Sequence, residues 1–563
     1  MALWLRNVKL SRVSKFKLGS CVLNAADENH PSSDRRRKLG LPSMVLLCLA
    51  AVVLGALFMI RGSRDEGDHA FANAATVLFP TIAWFLAVVA LWVSRLPRLW
   101  WRTLFLAPVT AIAVFFATNR FRRFDGELWP VFESRWAGQS AAATPPESSP
   151  GTEAISSEAR PTDFAQYLGP NRSGIIDGVR LVTDWASEPP EVIWKIDIGD
   201  GWSGFAVQGD VAVTLEQQGE QEWVSAFDVN TGTRLWHHAM PGIHQHLMGG
   251  VGPRSTPVIS GNRVWAASAI DRLVCLDLAD GTLVWEAELL KTSQAEFETA
   301  VTWGRSGSPL LNDGKLYVPV GGVHDGAKTI TVYDAATGDV LRQFGDDQIS
   351  YSSPMIATLG GQKQLIYTSE KQVAGYDLVD GKMLWSADAP GVSSADANVA
   401  QPVVVDDSHV LVTKSYGIGG HLWKISRESD EWTVDSVWEK TSVLKTKFTS
   451  AVVRGGFAYA LSDGILECVD VMSGQRQWKR GRYRQGQLLL VDDILLITSE
   501  DGRVVLVQAN PDKFIEMADF AVIGDVSWNT PALSGNRLLI RNSDEAACLI
   551  LPLADSGTDE VAE

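Results

Sequence analysis

Cys275–Trp285 reads CLDLADGTLVW: an apolar strand ending at Asp277, a turn through Gly281, and a strand that reaches Trp285. The same Asp, Gly, Trp spacing returns in AFDVNTGTRLW (Ala226–Trp236), GYDLVDGKMLW (Gly375–Trp385) and CVDVMSGQRQW (Cys468–Trp478). A fifth copy, VYDAATGDVLRQF (Val332–Phe344), keeps Asp334 and Gly338 but has Arg342 in the tryptophan slot. The copies recur roughly every 45 residues in β-rich sequence, the period of propeller blades rather than of helical repeats. Each residue type has a physical job. The Asp carboxylate accepts backbone N–H groups and holds the turn, the Gly brings the chain round, and the Trp is large enough to wedge between blades.

The gaps between copies complete the count. Asp377 and Asp470 are about two periods apart, and HLWKISRESDEWTVDSVWEK, with Trp423 and Trp438, fills the interval as a degenerate blade. After Trp478, RVVLVQANPDKFIEMADF turns through Asn510-Pro511 instead of Asp-Gly. The chain then ends on RLLIRNSDEAACLILPL, which lacks a following Trp strand, while EVIWKIDIGDGW supplies one early, at Trp194. The expected fold is therefore an all-β, eight-bladed propeller whose last blade is completed by the strand near Trp194. Such closure removes exposed sheet edges.

The chain before residue 160 differs in kind. Pro42–Ile60, Ala74–Val93 and Leu104–Thr118 are apolar runs, with Pro80 and Pro108 inside the second and third. They predict three transmembrane helices, flanked by the interfacial tryptophans Trp84, Trp92, Trp100 and Trp101. The first 41 residues hold nine Lys or Arg, and Arg95, Arg98 and Arg102 fall on the same face. The opposite face carries Arg61, Arg64, Arg120, Arg122, Arg123 and Arg135. The balance favours a cytoplasmic N-terminus and an exported propeller, on the outer side of the inner membrane. Five segments follow: a basic cytoplasmic stretch (1–41), a three-helix anchor (42–118), a juxtamembrane segment and Pro/Ser/Ala-rich linker (119–162), the propeller (163–553) and an acidic tail (554–563). LGSC (Leu18–Cys21) resembles a lipoprotein cleavage site but lacks the apolar stretch before it.

The formal net charge of −16 argues against a nucleic-acid partner. Cys275, Cys468 and Cys548 fall at similar strand positions in separate blades, so they read as small buried apolar side chains and not as a disulfide framework. His237, His238, His244 and His246 crowd one stretch without a companion carboxylate or Cys at ligand spacing, and read as loop histidines rather than a metal site. The Asp-Gly turns offer one carboxylate each around the rim, which is too few for calcium.

The repeat wording resembles the PQQ-like β-propeller repeat family, which includes quinoprotein dehydrogenases and BamB-type outer-membrane assembly lipoproteins. Beyond the repeats, the resemblance rests on FAQYLGPNRSG (Phe164–Gly174), GDGWSGFAV (Gly199–Val207), GGVGPRSTP (Gly249–Pro257), WGRSGSP (Trp303–Pro309) and RGRYRQGQLLL (Arg480–Leu490). For a dehydrogenase it implies a tryptophan floor under the quinone, a Ca²⁺ held by carboxylate and amide oxygens, an aspartate base and usually a vicinal disulfide. No adjacent Cys pair occurs in the sequence. The expectation is a non-catalytic binding or scaffold protein of the cell envelope with no cofactor. Its partners are the inner membrane, through the three spans, and envelope proteins or polymers at the propeller faces. The alternative is a dehydrogenase oxidising alcohols or sugars with PQQ and Ca²⁺.

Several inner strands open on a similar polar phrase, and these phrases place candidate ligand-binding residues around the mouth of the channel. Arg254, Arg305, Lys447 and Arg484 suit an anionic or polyhydroxylated ligand, Trp202, Tyr351 and Trp528 suit stacking on a ring, and Gln401 adds a polar position. The competing reading is that Ser and Thr mark these strand starts for backbone reasons.

Overall fold

The computed structural model describes residues 41–62, 69–94, 98–136, 155–293, 302–321 and 328–554. The basic N-terminal stretch with LGSC, most of the Ala137–Asp163 linker and nearly all of the acidic tail lie outside the described residues. Eight antiparallel four-stranded sheets make up the ring, one of them extended by a short fifth strand. Blade 1 runs through Ala206–Gln208, Val211–Gln218, Gln221–Asp228 and Arg234–Pro241, and each later blade repeats this inner-to-outer order.

The degenerate blade exists. Gly419–Glu428 and Glu431–Lys440 are the outer strands of blade 5, and they carry Trp423 and Trp438. Blade 7 turns at Asn510-Pro511 between Arg503–Gln508 and Glu516–Ala521. Closure is also as read. Glu191–Asp197 pairs with Glu545–Ile550, with Trp194 opposite Cys548, so the early strand completes blade 8.

The repeated phrase works between blades as well as within them. Asp228, Asp277, Asp334, Asp377 and Asp470 each accept backbone N–H groups of their own turns. The indoles of Trp194, Trp236, Trp285 and Trp438 donate to Val229, Leu278, Ala335 and Val471, each one residue past the Asp of a following blade. The ring lies over that blade's turn glycine. A Cβ on Gly281 would stand 2.5 Å from Trp236, and one on Gly474 would stand 2.8 Å from Trp438. Where Arg342 replaces the Trp, Phe344 covers Gly381 instead. The cysteines Cys275, Cys468 and Cys548 are buried and unbridged.

Three helices precede the ring: α1 (Leu41–Gly62), α2 (His69–Val93) and α3 (Arg98–Thr118). They coincide with the three apolar runs and extend them at several ends. Among the described residues no helix is long and apolar enough to cross a membrane. The indole of Trp84 donates to Leu104 O at 2.9 Å and its ring stacks on Phe105, which joins α2 to α3.

The segment 119–162, expected as a juxtamembrane stretch and linker, is structured at both ends. Immediately after α3 the chain forms a hairpin of β1 (Asn119–Phe124) and β2 (Pro130–Ser134). Its base is fixed by Phe132 against Phe115 and Phe116 of α3, at 4.9 and 5.8 Å. From residue 155 the chain is again docked: Ser156 O accepts from Asp210 N, and Arg160 pairs with Asp210 at 2.8 Å.

Candidate functional site

Two single-copy segments lie across the ring axis at its two ends, and neither belongs to the repeat. FAQYLGPNRSG crosses one end. Phe164 O and Ala165 O accept from Val207 and Ile259 of blades 1 and 2. The buried Arg172 guanidinium donates to Ser308 O and Pro309 O of blade 3 at 3.0 and 2.9 Å. Its own carbonyl accepts from Gln401 of blade 5, and Ile175 pairs in parallel with Leu490 of blade 7. Burial pulls Arg172 down to about 9, still charged at neutral pH. One strap thus bonds to blades on opposite sides of the axis.

The hairpin β1–β2 covers the other end. Arg122 and Arg123 reach Asp525 at 2.9 and 2.7 Å, and both also pair with Asp544. At the hairpin tip, Gly126 N donates to the Glu500 carboxylate at 2.6 Å and Gly126 O accepts from Lys447 Nζ at 2.6 Å. Arg482 pairs with Glu127 at 2.8 Å. Gly126 is required by close approach: a Cβ there would stand 2.3 Å from Gln485 and 2.6 Å from Glu500.

Between strap and hairpin lies an axial cavity of about 260 Å³. Tyr167 of the strap lines it from one end, and Asp125 and Leu128 of the hairpin from the other. Trp202, Trp303, Tyr351, Tyr416, Phe448 and Trp528 form an aromatic wall, and Arg254 and Lys447 are its cations. Trp528 packs between Trp202 and Phe448, with ring centroids 4.6 and 4.7 Å away. Burial holds Lys447 below its ordinary value and draws Arg254 down to about 10. It also raises Asp125 and Glu500.

Of the eight residues placed at the mouth from sequence, Trp202, Arg254, Tyr351, Lys447 and Trp528 line this cavity. The other three do not, for different reasons. Arg305 is turned into the ring wall, where it donates to Ile270 O and Val320 O at 3.0 and 2.9 Å. Gln401 is committed to the strap. Arg484 stands outside, half exposed, 3.9 Å from the Asp125 carboxylate. The serines of the same phrases tie neighbouring inner strands together: Ser308 Oγ accepts from Thr256 N, Ser353 Oγ from Ser308 N, and Ser450 Oγ from Gln401 N. These hydroxyls thus serve the backbone, while Trp202, Tyr351, Trp528, Arg254 and Lys447 face the axis.

Calcium and a quinone can be tested against these groups. The aromatic wall and two cations suit a flat anionic ring. The oxygen donors do not suit Ca²⁺. Glu500 is engaged by Gly126 and Trp528, and Asp125 accepts from the amides of Glu127 and Trp129. Among the described residues no three His, Cys, Asp or Glu side chains group as a metal site. His237 stacks on Trp223, and burial pushes the His244 imidazole down to about 3.

Beside Arg254, Glu222 of blade 1 is almost wholly buried. Burial pushes it up to about 7 from its ordinary 4.5, and the Ala269 N–H and the Arg254 charge only partly offset this. Between those values the folded ring holds a proton that the unfolded chain has released, so stability falls as pH rises through that window and levels off above it. Glu222→Gln is expected to flatten this slope and to stabilise the ring at pH 8 by about 2 kcal/mol, the order set by about 1.4 kcal/mol per pKa unit. Parallel melting profiles of variant and parent between pH 5 and 8 would refute it.

The family model described as outer membrane protein assembly factor BamB matches residues 220–480. Two curated relatives carry that same description. The protein of Alkalilimnicola ehrlichii is 24% identical over 266 residues, 46% of this chain and 52% of its own length. That of Moranella endobia is 21% identical over 406 residues, 65% of this chain and 86% of its own. The chain thus spans about half the length of the first and most of the second. Among solved structures, a europium-containing methanol dehydrogenase superposes with a TM-score of 0.51 at 11% identity, over 68% of this chain and 90% of that one. Quinohemoprotein alcohol dehydrogenase from Comamonas testosteroni gives 0.50 at 12%, over 70% and 81%. At such identities the likeness concerns the fold alone. Eight four-stranded blades, joined by tryptophans seated on the turn glycines of the blades that follow, make this ring an eight-bladed β-propeller, and its residues 220–480 are similar to that assembly-factor family.

Proposed function

We propose that the chain is a membrane-anchored, exported propeller that serves as a non-catalytic binding scaffold in the cell envelope, in the manner suggested by its BamB relatives. The observation that carries this reading is the shared repeat of an assembly factor on a ring whose axial cavity is lined in part by its own single-copy segments, the strap through Tyr167 and the hairpin through Asp125 and Leu128.

The membrane part of the proposal rests on α1, α2 and α3. Val52, Phe85, Trp92, Leu106, Ile112 and Phe116 are exposed on them, an apolar surface that water does not favour and lipid does. Three of the six arginines that weighed against an exported ring are engaged in ion pairs of the fold: Arg120 with Glu133, Arg122 and Arg123 with Asp525 and Asp544. The ring then stands outside the inner membrane, directly on the end of α3.

In situ photo-crosslinking from the outer blade edges tests the role. Enrichment of identified envelope-assembly proteins is the expected result, and adducts confined to lipid and abundant bystanders would refute it. The second reading, a PQQ-dependent dehydrogenase acting on alcohols or sugars, is favoured only by the aromatic wall with its two cations. Dye-linked oxidation by the purified chain in the presence of PQQ and Ca²⁺ would establish it in place of the scaffold.

A further inference from the structure

The hairpin β1–β2 meets the ring as a ligand meets a receptor. The ring offers Lys447 and Glu500 to the two sides of one tip glycine. It sets Arg482 against the tip carboxylate of Glu127, and Asp525 and Asp544 against the arginines behind it. Leu128 enters the cavity lining. The turn itself is prefolded, since Asp125 accepts from the amides of Glu127 and Trp129 at 3.0 and 2.7 Å.

The attachment is almost entirely polar. The ring's buried apolar clusters contain no residue of Asn119–Ser134. The hairpin's phenylalanines pack on one another and on α3 instead. Phe121 and Leu128 remain 38% and 40% exposed. The outer contacts, Arg122 with Asp525 and Arg482 with Glu127, are partly exposed ion pairs worth about 1 kcal/mol or less each, while Arg123, Gly126 and Glu500 make buried polar contacts, so the hairpin is held by specific polar recognition and not by a core shared with the blades. When the hairpin lifts, Glu500, Lys447 and Arg482 lose partners together, and the ring presents a surface complementary to another turn of the same kind.

We propose that the ring's mouth is a docking site for an acidic reverse turn with a glycine at its tip, flanked by arginines, and that β1–β2 fills it in cis until a partner protein's turn of the same chemistry takes its place. This rests on reading the ring as a binding scaffold, and it identifies the partner by the turn it must present. Because the hairpin continues α3 without a break, displacement also uncouples the ring from the helix end.

The test uses the full chain in lipid nanodiscs. Gly126→Leu puts a side chain where Gln485 and Glu500 leave no room, so the hairpin cannot seat. Hydrogen exchange of the amides of 119–134 is expected to quicken at least tenfold, with protection of the blade strands unchanged. A cyclised synthetic peptide of residues 119–134 is expected to bind the variant at micromolar concentration and to leave the parent unbound, because there the site is filled. Cyclisation matters because an isolated hairpin is marginal in water. Unchanged hairpin protection in the variant, or an intact ring that fails to take the peptide, overturns the proposal. Should Gly126→Leu perturb the blades, the Asp525→Asn, Asp544→Asn double variant goes through the same two assays, and a hairpin that stays protected there overturns it equally. Neither readout involves an envelope partner. Release and rebinding without recruited assembly proteins would sink the scaffold role and leave the docking site standing, and the converse would do the reverse.

Discussion

Removing residues 191–199 is expected to abolish the soluble ring. The strand Glu191–Asp197 is the outermost of blade 8 and pairs with Glu545–Ile550 along its length. Trp194, Ile196 and Ile198 are each under a tenth exposed, and they share one core cluster with Phe227 and Val229 of blade 1 and Leu538 and Leu549 of blade 8. The Trp194 indole also donates to Val229 O at 2.6 Å. Deleting three large buried side chains, at about 2–5 kcal/mol each, consumes most of the ~5–15 kcal/mol by which domains are stable. The deletion also leaves Glu545–Ile550 as a raw edge, which invites aggregation. Gel filtration and far-UV circular dichroism check it: aggregated or unfolded material is expected. A monodisperse chain melting cooperatively near the parent temperature would show that the ring closes by other means.

That strand was legible for the same reason as the blades. A repeat announces what is missing from it, so a final copy without its Trp strand and an early Trp194 strand without its copy point to each other. The degenerate fifth blade could be placed from two tryptophans and the size of a gap. The two segments that govern the axis carried no such signal. Phe164–Gly174 and Asn119–Ser134 occur once each, and periodicity says nothing about single copies. Arg122 and Arg123 read naturally as topology charges because their partners, Asp525 and Asp544, lie about four hundred residues away in sequence.

The mouth residues show the same limit on a smaller scale. Position along the repeat told which residues sit at the starts of inner strands, and five of the eight face the cavity. It did not tell which way each side chain turns. Arg305 stands five residues before its inner strand, Leu310–Asn312, and Arg254 four before Val258–Ser260, so Ser306 and not Arg305 is the counterpart of Arg254 on the cavity. Arg305 finds the carbonyls of Ile270 and Val320 within the wall, whereas Arg254 donates to Gly249 and Gly252 at the cavity rim. Those acceptors belong to loops whose paths the repeat does not fix. Trp303 lay inside a quoted phrase and Phe448 beside a chosen residue, and both line the cavity. Tyr167 also lay inside a quoted phrase, FAQYLGPNRSG, whereas Asp125 and Leu128 come from a single-copy segment with no sequence signal to find them by.

The largest single-residue effect should come from seating a side chain under a blade tryptophan. Gly281 has φ +73°, and a Cβ there would lie 2.5 Å from the Trp236 ring. Gly281→Val therefore suffers twice. A β-branched residue in the left-handed region costs about 1–2 kcal/mol. Dislodging Trp236, whose indole donates to Leu278 O at 2.8 Å, costs about 3–5 kcal/mol more by analogy with large-to-small aromatic replacements. Gly314 separates the two contributions. It has φ +70°, and a Cβ there would meet nothing within 4 Å, so Gly314→Val carries the backbone cost alone. Denaturant midpoints should fall modestly for Gly314→Val and several-fold further for Gly281→Val. Trp236→Ala should cost nearly as much as Gly281→Val, and the double variant should cost less than their sum, because the glycine and the tryptophan form one contact and it can be lost only once. Equal losses at Gly281 and Gly314, or strict additivity with Trp236→Ala, would mean that the phrase stabilises only its own turn and that the blades are held together by something else.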